Sequence, residues 1–291
     1  MSKFSLKPPF KWTGGKNRMW KSYLPIFFPD GEFDRFVDMF FGAGAVSLWV
    51  AQYFPNTEII INDSNSELIE MYKAIQEHYY DFEEHYCEVV KKFLPMEHGA
   101  RKEYYYELRD RHAFHGELSP AVNAAELFFM LKTNFNGIWQ PAKKMDYKYA
   151  TPAGTLNQKP SFFDLTQVKA FGEFLQRCII LQGDFENTEP FINDKTFVYA
   201  DPPYRDTFVK YQNVFSEEDQ IRLVNFLKKC PGYVAESNKE IGDSFWKNNF
   251  GEEYNIHEIS AKYTAGRGTS VVNVKEVLIT NYNGKQPGTI L

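Results

Sequence analysis

Four consecutive residues, Asp201-Pro202-Pro203-Tyr204, directly follow an apolar run, TFVYA, that predicts a buried strand. The two prolines end that strand and stiffen the backbone, so the Asp201 carboxylate and the Pro202 carbonyl should project from its carboxyl end. Two such acceptors can grip both hydrogens of a planar amine. They favour a pyramidal nitrogen whose lone pair can attack an activated methyl group. The geometry expected for this pattern therefore suits methyl transfer to a planar exocyclic amine such as that of adenine.

Tyr204 adds an aromatic face to this pattern. Such a face can stack on a base extruded from a duplex, because chemistry on a base inside the helix is sterically blocked. The alternative is an ordinary strand-ending turn whose tyrosine packs on the core.

A second pattern, FFGAG at 40–44, follows the apolar run at 34–40. Its small residues let the backbone approach a ligand at the start of a helix. Asp63 ends the next apolar run, 19 residues after Gly44, where a carboxylate can accept both ribose hydroxyls of a nucleoside cofactor. NAD and S-adenosylmethionine share that ribose, and a plain strand-turn-helix connection gives the same pattern. We expect Phe40, Gly42, Gly44 and Asp63 to line a cofactor site.

The segment KWTGGK at 11–16 is the third candidate. Trp12 offers a face for adenine or for a sulfonium, and Lys16 offers a cation for a carboxylate. A surface tryptophan and a solvated lysine are the alternative interpretation.

The elements that must position these residues alternate between strand and helix at both ends of the chain. Helices are predicted at 46–54 and from Ser64, and strands at 34–40, 57–63, 178–184, 195–201, 233–238 and 275–282. This alternation predicts an α/β fold with a doubly wound, mostly parallel sheet. The middle of the chain lacks it, so we expect a discontinuous catalytic domain (1–74 and 166–291) interrupted by an insertion (75–165).

Composition narrows the class of protein. The 291 residues are 43% hydrophobic, enough for a large core. No apolar run is long enough for a membrane span or a signal peptide, so we expect a cytoplasmic protein with no membrane partner. The spacing of the cysteines fits no zinc site, and no metal site is expected. No cysteine follows a proline, whereas the nucleophile of enzymes that methylate carbon 5 of cytosine lies in a Pro-Cys pair, so that reaction is disfavoured. The net charge of −5 hides a basic segment, since residues 132–159 hold five lysines against one aspartate.

The order of these motifs resembles the Dam family of DNA adenine-N6 methyltransferases. PFKWTGGK, FFGAG, IINDSNSELI and YADPPY occur in the family's order, together with FNG at 135–137, TPAG at 151–154 and EVLITNY at 276–282. The resemblance implies a class I methyltransferase fold with a reversed final strand and an inserted, mainly helical target-recognition domain at 75–165. It implies S-adenosylmethionine as methyl donor, contacted by Trp12, Lys16, Asp63 and Asp201, with Asp201 to Tyr204 also forming the catalytic motif. The substrate implied is a flipped adenine in double-stranded DNA, with no obligatory protein partner, in a bacterial cell or a phage-infected host.

Two positions depart from the family pattern. Gln140 stands where familiar members carry an arginine, and Ala150 where they carry an asparagine. An arginine makes the commonest bidentate contact to guanine, worth about 1–3 kcal/mol of discrimination. The familiar GATC target is therefore not assumed.

The basic segment is the predicted DNA contact. Asn136 and Gln140 are expected to read the sequence, whereas the lysines contact phosphates: Lys143, Lys144 and Lys148. Interleaved aromatic side chains are suited to stacking on exposed base faces: Phe135, Trp139, Tyr147 and Tyr149. A lysine-rich loop that merely solvates the surface is the alternative.

Three other functions share parts of these patterns. A dehydrogenase would share the Gly-rich turn and Asp63 but has no need of Asp-Pro-Pro-Tyr. Methylation of cytosine N4, of adenine in RNA or of a protein amide uses the same chemistry. A non-enzymatic DNA-binding protein on this scaffold would be expected to have lost the Asp-Pro-Pro-Tyr motif or the Gly-rich cofactor turn. Both are intact in this sequence.

Overall fold

The computed structural model describes residues 6–112, 118–139, 150–205, 215–264 and 271–285. The chain divides into two compact units. The helical unit comprises the described residues within Met1–Gly15, Gly42–Leu48 and Asn65–Ile180. The sheet unit comprises those within Lys16–Phe41, Trp49–Ser64 and Leu181–Leu291.

The strands form one large sheet and one small one. Their bounds are β1 Phe28–Pro29, β2 Arg35–Asp38, β3 Glu58–Asp63, β4 Cys178–Gln182, β5 Thr196–Ala200, β6 Tyr233–Lys239, β7 Asn255–Thr264, β8 Val271–Thr280 and β9 Gly284–Lys285. In the described residues the large sheet has the order β4-β3-β2-β5-β6-β8-β7, and β1 pairs separately with β9. β2 is parallel to both β3 and β5, and β5 is parallel to β6. β8 is antiparallel to both of its neighbours.

The order in which the chain adds strands to the sheet reverses between β2 and β5. From β2 the chain steps outward through β3 and β4, and it then returns to place β5 on the other side of β2. Ligands of open α/β sheets bind at such a switch point, outside the carboxyl ends of the strands. Phe40 follows β2 and Asp201 follows β5, so both lie at this point.

The central strands are buried because both faces of a parallel sheet are covered. The apolar residues of β2, β3 and β5 are at most 1% exposed, including Val37, Ile60 and Val198, and Val234 of β6 is fully buried. Polar side chains lie buried among them: Asp38, Asn62, Glu236, Ser237, Asn238 and Glu276. Such groups are costly unless they are hydrogen-bonded.

The α-helices are α1 Trp20–Tyr23, α2 Ala45–Tyr53, α3 Ser66–Glu77, α4 Tyr79–Phe93, α5 His98–His112, α6 Pro120–Thr133, α7 Leu165–Leu175, α8 Glu217–Leu227 and α9 Phe245–Phe250. Their starts follow from sequence. The Asn65 side chain accepts from two backbone amides of α3, and Ser216 with Asp219 forms a capping box on α8. Short 3-10 helices cover Lys16–Arg18, Pro160–Phe163 and Phe185–Phe191.

In the helical unit, α6 is the central element. It is apolar on nearly all sides, which is typical of a fully buried helix. The Phe128 ring packs against Phe82 and Tyr86 of α4 and against Phe10 near the amino end. Among the described residues, no helix combines the length and apolar composition needed to cross a bilayer.

The predicted α/β class with a mostly parallel sheet is confirmed. Each predicted strand is present within a few residues of its expected bounds, whereas β7 and the two-residue strands β1 and β9 were not predicted. The division into 1–74 with 166–291 and an insertion at 75–165 stays a prediction about function, and the compact helical unit extends beyond those limits.

Candidate active site

Asp201 lies at the switch point with its carboxylate held by Lys16. The Lys16 Nζ is 2.6 Å from each carboxylate oxygen, and the two side chains are 3% and 17% exposed. Burial raises the pKa of Asp201 to about 6, against the lowering effect of the Lys16 cation. The carboxylate is therefore ionised at neutral pH and protonated in mild acid.

Tyr204 is fixed through its hydroxyl. The hydroxyl donates to Glu276 Oε2 at 3.1 Å, and the Tyr23 hydroxyl donates to the same oxygen at 3.3 Å. The Lys16 Nζ lies 4.8 Å from the centre of the Tyr204 ring. The aromatic ring is thus held between a buried carboxylate and a cation.

The backbone around Tyr204 is held by side chains of α8 and β6. The Gln220 amide donates to the Pro203 carbonyl at 2.8 Å, and the Arg205 backbone amide donates to Asn238 Oδ1 at 3.2 Å. The Arg205 guanidinium makes a bidentate pair with Asp243, at 3.1 and 2.7 Å. The turn that follows β5 is therefore anchored on both sides.

Glu236 is a second buried carboxyl in this region. Its side chain is fully buried, and Asn238 Nδ2 donates to its Oε1 at 3.2 Å. Its Oε2 has no hydrogen-bond partner among the described atoms. Burial raises the pKa of Glu236 to about 8, so it is protonated at neutral pH.

The other predicted residues of the sheet unit lie along the same edge of the sheet. Phe40 is partly buried, with its ring 5.9 Å from that of Phe185 and 5.6 Å from that of Phe215. Asp63 ends β3, partly buried, and its carbonyl accepts from the Gly183 amide at 3.0 Å. Both positions match the predicted carboxyl ends of the strands.

In the helical unit the structure brings Trp12 and the Gly-rich turn together. Gly42 has φ +50°, and a Cβ there would lie 3.0 Å from the Trp12 ring. Both the left-handed backbone and the close ring require glycine at this position. Gly44, with φ +76°, accepts the first helical bond of α2 from Leu48.

The FNG turn lies against the segment that carries Trp12. Gly137 has φ +72°, and a Cβ there would lie 2.7 Å from the Lys11 carbonyl. Asn136 is exposed at the tip of this turn, with φ +55°. The other predicted DNA contacts lie outside the described residues: Gln140, Lys143, Lys144 and Lys148.

Two residues of the basic segment are not available to DNA in the way the sequence suggested. Trp139 was expected to offer an exposed face, which is wrong: it is 5% exposed, and its Nε1 donates to Glu67 at 2.9 Å. Lys132 donates to the Pro9 carbonyl at 2.9 Å and lies 4.9 Å from the Phe162 ring centre. Burial lowers the pKa of Lys132 to about 8. Lys132, which was counted in the basic segment but was not a predicted phosphate contact, therefore packs within the helical unit.

Sequence reasoning missed the buried polar residues behind the Asp-Pro-Pro-Tyr turn. Glu236, Asn238 and Glu276 all lie in strands that were predicted from apolar runs. A charged or amide side chain inside such a run was the available signal, because it must find a partner when buried.

The fold and this site together define a class I methyltransferase: a parallel sheet with a switch point, one reversed strand and Asp-Pro-Pro-Tyr at the carboxyl edge. The family model described as D12 class N6 adenine-specific DNA methyltransferase matches residues 12–265. The chain belongs to this family, and it is an enzyme that transfers a methyl group to the N6 amine of adenine in DNA.

Similar proteins span nearly the whole chain. The type II methyltransferase M.MjaIII of Methanocaldococcus jannaschii is 30% identical over 292 residues, which covers 95% of this chain and 99% of that protein. The type II methyltransferase M1.LlaDCHI of Lactococcus lactis subsp. cremoris is 30% identical, with 97% of each chain covered. The retron Ec67 DNA adenine methylase of Escherichia coli is 26% identical, with 88% of this chain and 84% of that protein covered.

Proposed function

We propose that S-adenosylmethionine is the methyl donor and that Asp201 is the residue on which methyl transfer depends. The observation that carries this proposal is the partly buried Asp201 carboxylate at the switch point, ion-paired with the buried Lys16 at 2.6 Å. Asp201 and the Pro202 carbonyl accept the two hydrogens of the adenine amine. Their grip favours the pyramidal nitrogen that reaction requires.

The donor set suits a nucleoside with an amino-acid tail. Asp63 accepts the ribose hydroxyls, Trp12 offers an aromatic face, and the other cofactor contacts come from Phe40, Gly42 and Gly44. When bound, S-adenosylmethionine supplies a methyl group made electrophilic by its sulfonium. The residues of this chain bind the cofactor, orient the amine and exclude water.

Lys16 has two roles in this proposal. It contacts the cofactor, as the family resemblance implies, and it keeps Asp201 ionised at neutral pH against the burial that favours protonation. An ionised carboxylate is the stronger acceptor for the amine hydrogens.

The substrate is double-stranded DNA from which the adenine is extruded, and the Tyr204 ring stacks on the extruded base. The 75–165 segment recognises the target, with Asn136 and Gln140 reading the sequence. The phosphate contacts are Lys143, Lys144 and Lys148. Two relatives are type II methyltransferases by name, which supports a role in restriction-modification, in a bacterial cell or a phage-infected host.

The test removes the Asp201 acceptor and retains the fold. Asp201→Ala should abolish methyl transfer to unmethylated DNA, and Asp201→Asn should be severely impaired, whereas circular dichroism should match the parent. The matched control is Asp194→Asn, which changes an exposed carboxylate in the same unit and should stay active. An Asp201→Ala enzyme that methylates DNA at near the parent rate would overturn the proposal.

A further inference from the structure

We propose that Gln220, Asn238 and Glu276 are positioning residues that fix Tyr204 at three points: the carbonyl before it, the amide after it and its hydroxyl. None of the three is in the Asp-Pro-Pro-Tyr motif. The inference rests on the function proposed for that motif, and it names the part of the fold that holds the motif in its working geometry.

Two of the points are backbone groups on either side of Tyr204. Gln220 on α8 donates to the Pro203 carbonyl at 2.8 Å. Asn238 on β6 accepts from the Arg205 amide at 3.2 Å. The two amide side chains are joined, since Asn238 Nδ2 donates to Gln220 Oε1 at 3.1 Å. Both are at most 1% exposed, so water does not compete for these bonds.

The orientation of the Asn238 amide is determined by its partners. Its oxygen accepts from the backbone amides of Arg205 and Lys239, and its nitrogen donates to Gln220 and Glu236. All four hydrogen-bonding positions of the amide are used. A flipped amide would put its NH2 group against two N–H donors. The Asn238 side chain therefore has one favourable orientation, and the chain at Arg205 is held in the position that satisfies it.

The third point is the hydroxyl of Tyr204. It donates to Glu276 Oε2 on β8, and Tyr23 donates to the same oxygen. Glu276 is fully buried, so the position of this oxygen is set by the packing around β8. The backbone is held on both sides of Tyr204, and Glu276 holds its hydroxyl. These contacts restrict the rotation and displacement of the Tyr204 ring.

This arrangement matters for the chemistry because Asp201 and Tyr204 are separated only by two rigid prolines. A displacement of the turn by about 1 Å can reduce the rate of an oriented reaction about 100-fold. Of the residues proposed to contact the cofactor, Asp201 and its partner Lys16 adjoin this turn, whereas Trp12 and Asp63 are held by other elements. Removal of the positioning residues should therefore lower kcat much more than it lowers cofactor affinity.

The experiment compares Gln220→Met and Asn238→Ala with the parent in kcat and in calorimetric affinity for S-adenosylmethionine. Each variant should lose about 10- to 100-fold in kcat, with cofactor affinity within threefold of the parent. The kcat of the double variant should be close to that of the slower single variant, because the two side chains act in one network.

The matched control is Asn281→Ala. The Asn281 side chain also holds backbone groups of the β6 region, at Val234 (2.8 Å) and Gly232 (2.9 Å), but at the opposite end of that strand. It should lose stability as the test variants do and keep its kcat. A kcat loss in Asn281→Ala equal to that in Asn238→Ala would reduce the effect to general destabilisation and overturn the inference.

Tyr204→Phe tests the third point, because it removes the hydroxyl that donates to Glu276 and that also interacts with Asp201. It should lower kcat by about tenfold, and an unchanged kcat would overturn the role of Glu276, even if the Asn238 variant does not fold. The Asp201→Ala assay separates this inference from the proposed function. If Asp201→Ala is inactive and folded positioning variants keep full kcat, only the inference fails. If Asp201→Ala is active, the proposed function itself fails.

Discussion

The buried carboxyl of Glu236 should make the protein less stable as the pH rises. Its pKa is raised from its ordinary 4.5 to about 8 in the folded protein, because burial disfavours the charged form. Between these two values the unfolded chain has lost the proton and the folded chain retains it. Stability therefore falls with rising pH across this window, by about 1.4 kcal/mol per pH unit from this group. Below pH 4.5 both states are protonated and the contribution is constant.

Glu236→Gln removes this titration and keeps the shape of the protonated side chain. Its amide oxygen can still accept the bond that Asn238 now donates to Glu236 Oε1. The difference in free energy of unfolding between the variant and the parent at pH 5.5 is the baseline. At pH 8 the variant should be more stable than the parent by about 3 kcal/mol relative to that baseline.

The assay is urea unfolding at pH 5.5 and pH 8, followed by circular dichroism and by tryptophan fluorescence. Titrations elsewhere in the protein largely cancel in the difference between variant and parent. Glu103→Gln, which changes an exposed carboxylate on α5, is the matched control and should show no pH-dependent difference. A difference between Glu236→Gln and the parent that is the same at both pH values would refute this reasoning.

Three further predictions concern the site. Because Asp201 has a pKa of about 6 and must be ionised to accept the amine hydrogens, the single-turnover rate should fall about tenfold per pH unit below that value. Lys16→Met should move this acidic limb of the pH–rate profile to higher pH. An acidic limb that stays in place would contradict the role of Lys16. Asp63→Ala should weaken S-adenosylmethionine binding by about 1.5–3 kcal/mol and leave DNA affinity unchanged, and calorimetry that finds the same cofactor affinity would exclude Asp63 as the ribose ligand. A triple variant replaces three lysines by alanine: Lys143, Lys144 and Lys148. It should bind all DNA sequences more weakly, and the slope of its salt dependence should fall by about one unit for each phosphate that is no longer bound. Identical slopes for the variant and the parent would place the DNA-binding face elsewhere.

The sheet was predictable because its strands are buried on both faces. Continuous apolar runs such as Ile59 to Ile61 are typical of strands that are buried on both faces. Glycine and proline mark the turns that follow such strands. β7 lacks such a run: Glu258 and Ser260 lie on either side of the buried Ile259 and are more exposed than it is. A strand at the edge of a sheet, wet on one side, has a weaker pattern, and it was missed.

Interactions between distant residues were beyond sequence reasoning. Lys16 and Asp201 were each identified from a motif, but their ion pair joins residues 185 positions apart. The same holds for Trp139, whose bond to Glu67 spans 72 positions and turns an expected exposed aromatic into a buried one. Residue types and spacing identify which groups can do chemistry, whereas the tertiary fold decides which partners they have.

The identity of the methylated base tests the assigned reaction, and the role of Asp201 in it, most directly. Unmethylated DNA, incubated with the purified enzyme and S-adenosylmethionine, is digested to nucleosides and measured by mass spectrometry. We expect N6-methyladenine from the parent enzyme and none above background from Asp201→Ala. Formation of N4-methylcytosine in place of N6-methyladenine, or N6-methyladenine from Asp201→Ala at the parent rate, would contradict this assignment.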